Sequence, residues 1–134
     1  MNRFLTGLAM VWAVAASGCS EPPAAPASVT FSAQLANAGS ADRALLVQLV
    51  GADTSARIDS VLTPAGSSYR LFTQRQSATE WRAIVTGNLT DGVLLRLAVP
   101  ERSQANAYTA TILDVADAAF ASLPPGARAV TIAR

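Results

Sequence analysis

Apolar and polar residues alternate with a period of two along most of this chain. In residues 28–35 every second position is apolar, and these positions are Val29, Phe31, Ala33 and Leu35. Such alternation is the pattern of a β-strand with one buried face. Similar patterns recur later, in residues 43–50, 57–63, 68–74, 81–86, 93–99, 107–115 and 129–132. The chain therefore predicts about eight short strands and no amphipathic helix longer than about two turns.

Two of the segments are apolar enough to predict central strands of a sheet. In residues 43–50 every position after Arg43 is apolar except Gln48, so both faces are apolar, and residues 93–99 are the most strongly apolar segment of the domain. Strands that are covered on both faces have this composition. Residues 57–63 predict a weaker strand, with Ile58 and Leu62 on one face.

Turn-forming residues separate the strands. Residues 68–74 and 81–86 predict a hairpin around residues 75–80, with Tyr69 and Trp81 on its inner face. Residues 116–122 predict either one helical turn or an irregular crossing, and the sequence Pro-Pro-Gly that follows ends it.

The predicted fold class is all-β: an antiparallel β-sandwich of the immunoglobulin-like type, with the strand order left open. Leu89-Thr90-Asp91-Gly92 precedes the apolar strand 93–99, and a strand that runs into an acidic turn follows at residues 108–117. This succession resembles the second half of cohesin-like and carbohydrate-binding-type sandwich domains. The resemblance covers residues 29–132 and implies the same two-sheet architecture.

The first nineteen residues predict export. Residues 1–3 carry one positive charge, and residues 4–16 form an apolar run that is shorter than the roughly twenty residues of a membrane span. The run ends in Ala16-Ser17-Gly18-Cys19, which resembles the lipobox of bacterial lipoproteins, with Ala16 where leucine is usual. The resemblance implies recognition of Ala16, Ser17 and Gly18 by a signal peptidase and acylation of Cys19. The alternative is an ordinary signal peptide whose removal leaves a free thiol.

The lipobox divides the chain into three parts. Residues 1–18 are a cleaved signal peptide, residues 19–27 a lipidated cysteine followed by a Pro- and Ala-rich flexible tether, and residues 28–134 the sandwich domain. Ser20 stands where, in lipoproteins, an aspartate favours retention in the inner membrane. The resemblance therefore implies an outer-membrane location, on its periplasmic or surface face, with the membrane as a partner through the N-terminal lipid.

Composition excludes several kinds of chemistry. Cys19 is the only cysteine, so no disulfide forms within the chain. Histidine is absent, which excludes His/Cys zinc sites and His-dependent nucleophile systems. Ten basic residues, of which Arg3 lies in the signal segment, face nine acidic ones, and there is no lysine. Nucleic acid is therefore not an expected partner.

The remaining candidate chemistry is sparse. Glu80 with Asp91 is the available pair for a glycosidase-type reaction, and Asp114, Asp117 and Asp91 are oxygen ligands that calcium accepts. The alternative is that these carboxylates cap turns or solvate loops. No metal or cofactor is expected, and the chain is predicted not to be an enzyme.

Aromatic and basic residues are the candidates for binding. A sugar-stacking platform would use Trp81, Tyr69 and Tyr108, although their alternation favours core packing. A cationic strip on the outer face of a sheet would use Arg70, Arg82 and Arg96, with ordinary solvated arginines as the alternative.

The leading functional hypothesis is a lipid-anchored, non-catalytic β-sandwich that presents a loop end or sheet face to an envelope protein or polysaccharide. The first alternative is a carbohydrate-binding module, and the remote one is a carboxylate-dependent hydrolase. The two alternatives have different structural requirements. A carbohydrate-binding module needs exposed aromatic side chains, and a carboxylate-dependent hydrolase needs two carboxyl groups placed close together.

Overall fold

A computed structural model describes residues 27–134, so the signal segment, the lipobox with Cys19 and most of the tether lie outside the described residues. The described chain forms eight strands and one short 3-10 turn at Ala105–Ala107. The strands are β1 (Ser28–Ala36), β2 (Ala44–Gly51), β3 (Ser60–Leu62), β4 (Arg70–Arg75), β5 (Glu80–Thr86), β6 (Gly92–Pro100), β7 (Tyr108–Ala116) and β8 (Ala129–Ala133). Within these residues no helix is long and apolar enough to cross a bilayer.

The strands form two antiparallel sheets of four strands each, which confirms the predicted all-β, immunoglobulin-like sandwich. The first sheet has the order β3-β6-β1-β8, and the second has the order β4-β5-β2-β7. Consecutive strands lie in different sheets at every connection except the β4–β5 hairpin. The predicted central strands β2 and β6 are both internal, and the predicted last strand β8 is an edge strand.

The two ends of the sandwich are distinct. The tether end is where β1 begins at Ser28, and it carries the loops at residues 52–59, 76–79 and 101–107. The distal end is the opposite one, and it carries the loops at residues 37–43, 63–69, 87–91 and 117–128. Because β1 has nine residues, the two ends lie about 30 Å apart.

The core lies between the sheets and is built from the alternating positions that the sequence indicates. Strand β1 contributes Phe31, Ala33 and Leu35, and β2 contributes Leu45, Val47 and Leu49. The opposing ring of Tyr108 on β7 packs edge-on against Phe31, with ring centroids 5.8 Å apart. The inner faces of both sheets thus form one continuous hydrophobic cluster.

Bulges break strict alternation at two places. In the β1–β6 pair the register shifts between Ala33 and Gln34, and Leu94 and Leu95 are therefore both buried although they are adjacent. In the β2–β7 pair the register shifts between Leu46 and Val47, and Leu113 is the extra residue. Alternation in the sequence identifies these strands but not the bulges.

One sequence expectation needs correction. Ile58 is buried, but Leu62 is 44% exposed, because β3 is only three residues long and it is Val61 that faces the core. Of the two forms predicted for residues 116–122, the structure has the irregular one, a tight reversal: the Asp117 N–H donates to the Ala121 carbonyl, and Ala116 pairs with Ser122.

Replacement of Tyr108 by phenylalanine is expected to lower the free energy of unfolding by about 1 kcal/mol. The hydroxyl of Tyr108 donates to the Arg57 carbonyl at 2.7 Å and lies 3.1 Å from Ser103 Oγ. The variant keeps the ring and its contact with Phe31 but leaves a carbonyl without its donor. Urea unfolding measures the loss, and Tyr69→Phe, at a more exposed position, is the control. An unchanged midpoint for Tyr108→Phe would contradict the expectation.

Candidate functional site

The three aromatic residues considered for sugar stacking all pack against the core. The Trp81 indole N–H donates to the Ile58 carbonyl at 3.1 Å, and its ring is half-buried. Tyr108 is buried, and Tyr69 packs against the core cluster with its hydroxyl near Thr90. The core-packing interpretation is therefore confirmed for these rings, and none of them forms an exposed platform.

The three arginines proposed for a cationic strip do not lie together. Arg70 on β4 and Arg82 on β5 are exposed on the outer face of the second sheet. Arg96 lies on β6 in the first sheet, opposite Ser32 and Leu62. A strip of all three is wrong, because the hairpin that joins the first two belongs to a different sheet from β6.

The outer face of the second sheet carries an apolar row that crosses three strands. Phe72 on β4 pairs with Ile84 on β5, and Ile84 pairs with Leu46 on β2. Phe72 is 58% exposed and Ile84 is 41% exposed, and Leu46 is half-buried. The row ends at Asp114 on β7, the partner of Leu46. Phe72, Ile84 and Leu46 are called the apolar row below.

Polar rows flank the apolar row on both sides. Towards the tether end, Gln74 pairs with Arg82, and Arg82 pairs with Gln48. Towards the distal end, Arg70 pairs with Thr86. Two guanidinium groups thus lie beside the row, one on each side of it.

The outer face of the first sheet differs in character. Its cross-strand rows are Thr30–Ala98–Ser60, Ser32–Arg96–Leu62 and Thr131–Gln34–Val93. The exposed large hydrophobic residues among them, Leu62 and Val93, lie in different rows, and each has a polar or charged residue as its cross-strand partner. An exposed apolar patch that spans strands is therefore a property of one face of the sandwich, and such patches mark interaction sites.

The carboxylates considered for catalysis lie apart. Glu80 begins β5 at the tether end, and Asp91 follows that strand at the distal end. Six strand residues separate Glu80 from the end of β5, which corresponds to about 20 Å. A glycosidase pair requires carboxyl groups no more than about 10 Å apart. Each carboxylate instead accepts a local bond, Glu80 from Gln48 Nε2 at 2.8 Å and Asp91 from the Ala38 N–H at 2.7 Å.

The aspartates considered for calcium shape their own backbone. Oδ1 of Asp117 accepts the N–H groups of Ala119 and Ala121, at 2.8 and 3.0 Å, and Oδ1 of Asp114 accepts the N–H of Val115. Among residues 27–134 no three His, Cys, Asp or Glu side chains are grouped so that they could hold a metal ion. The turn-aspartate interpretation describes what these carboxylates do in the structure.

A buried ion pair holds the distal end together. The carboxylate of Asp42 has no exposed surface, and it accepts two bonds from Arg128, from Nε at 2.6 Å and from Nη2 at 2.7 Å. It also accepts the Gly39 N–H at 2.8 Å. Arg128 Nη1 donates to the Pro124 and Pro125 carbonyls. The pair therefore joins the loop at residues 37–43 to the loop at residues 117–128.

Gly39 is required by this arrangement. A Cβ at residue 39 would lie 2.6 Å from Arg128 Nη2 and 2.9 Å from Asp42 Oδ1.

The ion pair also changes the acidity of Asp42. The guanidinium of Arg128 holds the pKa of that carboxyl below its usual value, the Gly39 N–H lowers the pKa further, and burial opposes both.

Phe120 protrudes from the distal end. Its side chain is 90% exposed, and its φ angle of +61° lies in the left-handed region, which costs an ordinary L-residue roughly 1–2 kcal/mol. The tight reversal described above fixes this conformation, since the Phe120 N–H donates to the Asp117 carbonyl at 3.1 Å. A bulky residue held in this conformation is rare, and strained residues cluster at functional sites.

The sequence alone did not identify the main surface features. In the hairpin prediction Phe72 and Ile84 fall on the outer face by parity, and that parity is the signal that could have found the apolar row. Phe120 stands in a run of small residues, where no period makes an exposed aromatic conspicuous. The ion pair joins residues 86 positions apart, and no local pattern indicates it.

The chain is a small antiparallel β-sandwich with an apolar row on one outer face and a buried ion pair that joins two loops of its distal end. The chain matches no protein-family model, and neither the curated proteins nor the solved structures contain a match to it.

Proposed function

We propose that this chain is a bacterial envelope lipoprotein, anchored to the outer membrane through Cys19, whose sandwich is a non-catalytic module that binds another envelope protein. The observation that carries the binding role is the apolar row on the outer face of the second sheet. The anchoring role is supported by the lipobox-like sequence Ala16-Ser17-Gly18-Cys19 and by the proline-rich tether that follows it.

The apolar row has the composition of a binding centre. Covering a large apolar side chain contributes about 1.5–3 kcal/mol when burial is complete, and Phe72 and Ile84 have about half of their surfaces left to bury. Aromatic side chains at the centre of a patch are frequent hot spots of protein interfaces. The row crosses β4, β5 and β2, so the residues are held on a rigid sheet rather than on mobile loops.

The charges beside the row indicate the partner's chemistry. Arg70 and Arg82 flank the row on opposite sides, and both are exposed. Guanidinium groups pair with carboxylates in a two-pronged geometry. The complementary surface is therefore an apolar one bordered by Asp or Glu side chains on those two sides, and by a neutral or basic side chain opposite the exposed Asp114 at the β7 end of the row. Charge complementarity of this kind fixes orientation and speeds association.

The double replacement Phe72→Ser with Ile84→Ser is expected to reduce partner capture at least tenfold while leaving the melting temperature within a few degrees of wild type. Both side chains are exposed in the free protein, so their contribution is made mainly on binding. The measurement is cross-linking in intact envelopes, followed by quantitative mass spectrometry of what the full-length lipoprotein captures.

The control is Leu62→Ser, which removes an equally exposed aliphatic side chain from the first sheet. It should retain every partner that wild type captures. Arg82→Glu should weaken capture of the same partner, and the loss should grow at low ionic strength. If the double variant captured the same proteins in the same amounts as wild type, the proposal would be wrong.

A further inference from the structure

An open cleft lies beside Phe120 at the distal end, past the end of the apolar row and far from the point where the tether enters. Its volume is about 460 Å³, and its lining includes Arg43, Ser68, Gly87, Asn88, Asp117 and Phe120. That size falls within the range of small-molecule sites, which is about 300–1,000 Å³. The proposed protein-binding role makes no use of this cleft.

The two charged side chains of the cleft and the backbone at Phe120 are fixed before any ligand arrives. Arg43 Nη1 donates to the Ser40 and Asp42 carbonyls, at 3.0 and 2.9 Å, so its guanidinium is held next to the buried ion pair. Asp117 is fixed by the two N–H groups that its Oδ1 accepts. The same reversal holds Phe120 in its left-handed conformation. A site organised in advance loses little conformational entropy on binding.

The chemistry of the lining selects the class of ligand. One wall is a flat apolar ring, and the other lining side chains offer both hydrogen-bond donors and acceptors. The arginine and the aspartate carry opposite charges, so the cleft as a whole favours a neutral ligand. A pyranose ring combines these properties, because it has an apolar face of C–H groups and a rim of hydroxyls.

We propose that this distal cleft binds a neutral pyranose unit of a polysaccharide, with the sugar ring stacked on Phe120. Arg43, Asn88 and Asp117 then bond the hydroxyl rim. Gly87 keeps the floor of the cleft shallow: a Cβ there would lie 3.1 Å from the ring of Tyr69, and its φ angle of +140° also disfavours other residues. The cleft adjoins the distal edge of the second sheet through Ala44 and Thr86, but none of the apolar-row residues lines it, so either proposal can fail without the other.

The test is calorimetric titration of the full mature lipoprotein, held in a detergent without a sugar headgroup. The probes are two neutral β-linked tetrasaccharides, one of glucose and one of N-acetylglucosamine. Saturable binding of at least one probe is expected, with at least a tenfold weaker affinity for Phe120→Ala. Phe72→Ala is the matched control, because it removes the other exposed phenylalanine and should leave the affinity unchanged.

A second variant separates binding from folding. Phe120→Asn places a residue that tolerates the left-handed conformation at the same position, so its melting temperature should equal or exceed that of wild type while its sugar affinity falls as in Phe120→Ala. The absence of saturable binding to both probes would overturn the proposal. So would equal affinities for wild type and Phe120→Ala, or the finding that Phe120→Ala loses a captured protein while no sugar binds.

Discussion

Replacement of Asp42 by alanine is expected to lower the free energy of unfolding by about 3–5 kcal/mol, a large part of the stability of a domain of this size. The carboxylate of Asp42 is fully buried, and the side chain of Arg128 is only 12% exposed. Removal of Asp42 leaves the guanidinium with two proline carbonyls but no counter-charge, and leaves the Gly39 N–H without its acceptor. Breaking one side of a buried pair costs more than the pair contributes.

A double-mutant cycle measures this coupling directly. Arg128→Met alone should also be strongly destabilising, because it leaves a carboxylate at a site without exposed surface. The double variant, Asp42→Ala with Arg128→Met, should be less destabilised than the sum of the two single changes. Additive losses in urea unfolding would show that the two residues act independently and would contradict the proposed coupling.

The ion pair also predicts acid sensitivity. The pKa of Asp42 is lower in the folded chain than its usual value of 3.8, chiefly because Arg128 bonds to it. A carboxyl with a lowered folded pKa binds protons more readily when unfolded, so its contribution to stability is present above about pH 4 and is lost as the pH falls below that value. Asp53 acts in the same direction, because hydrogen bonds from Ser55 lower its pKa. The free energy of unfolding is measured against pH for wild type and for Asp42→Asn, and the difference between the two curves is the part due to Asp42.

The sandwich could be predicted from sequence because its information is local. Alternation in β1, β2 and β6 depends on neighbours two residues away, and a buried face requires apolar side chains at those positions. The hairpin of β4 and β5 was predictable for the same reason, since its strands are joined by a short turn. The order of the strands was not, because nearly every connection crosses between sheets.

The candidate sites depend on juxtapositions that alternation does not encode. Alternation along the chain placed Arg96 on an outer face, as it did Arg82. Strands β6 and β5 belong to different sheets, however, so the two side chains lie on opposite faces of the sandwich. Asp42 lies in a loop between two strands, and its burial depends on Arg128, 86 positions later in the chain. Trp81, the candidate for sugar stacking, contacts the core, and the exposed aromatic side chains of the described residues include Phe72 and Phe120.

The two proposed surfaces lie at different places relative to the tether. For the proline-rich residues 20–27 the sequence predicts polyproline geometry, which corresponds to a length of about 25 Å at about 3.1 Å per residue. The long axis of the sandwich adds about 30 Å, so with the proposed anchor at Cys19 the distal cleft would lie at most about 55 Å from the bilayer. The apolar row lies along the side, where with the proposed anchor it would be within reach of another protein on the same membrane. If both proposals hold, the domain would bind an envelope protein beside it and a polymer at its distal end.

Replacement of Cys19 by serine is expected to abolish lipid attachment completely. In the lipobox interpretation the thiol of Cys19 carries acyl chains, and each buried methylene of a chain contributes about 0.8 kcal/mol to membrane binding. Metabolic labelling with radioactive palmitate, together with mass spectrometry of the N-terminus, tests this. Wild type should carry the label on a chain that begins at Cys19, and the variant should carry none, whatever becomes of residues 1–18. A wild-type chain that begins elsewhere, or a variant that still takes up label, would disprove the assignment.

A second replacement tests the membrane location separately from lipid attachment. Ser20→Asp keeps Cys19 and should keep the palmitate label, but an aspartate at this position favours the inner membrane in the lipoproteins that the lipobox resembles. The variant should therefore move from the outer-membrane to the inner-membrane fraction on a density gradient. Because its sandwich is unchanged, it should still capture a purified partner in detergent but not in intact envelopes, if that partner resides in the outer membrane. Loss of capture in both conditions would mean that residue 20 acts on the domain, contrary to its place in the tether.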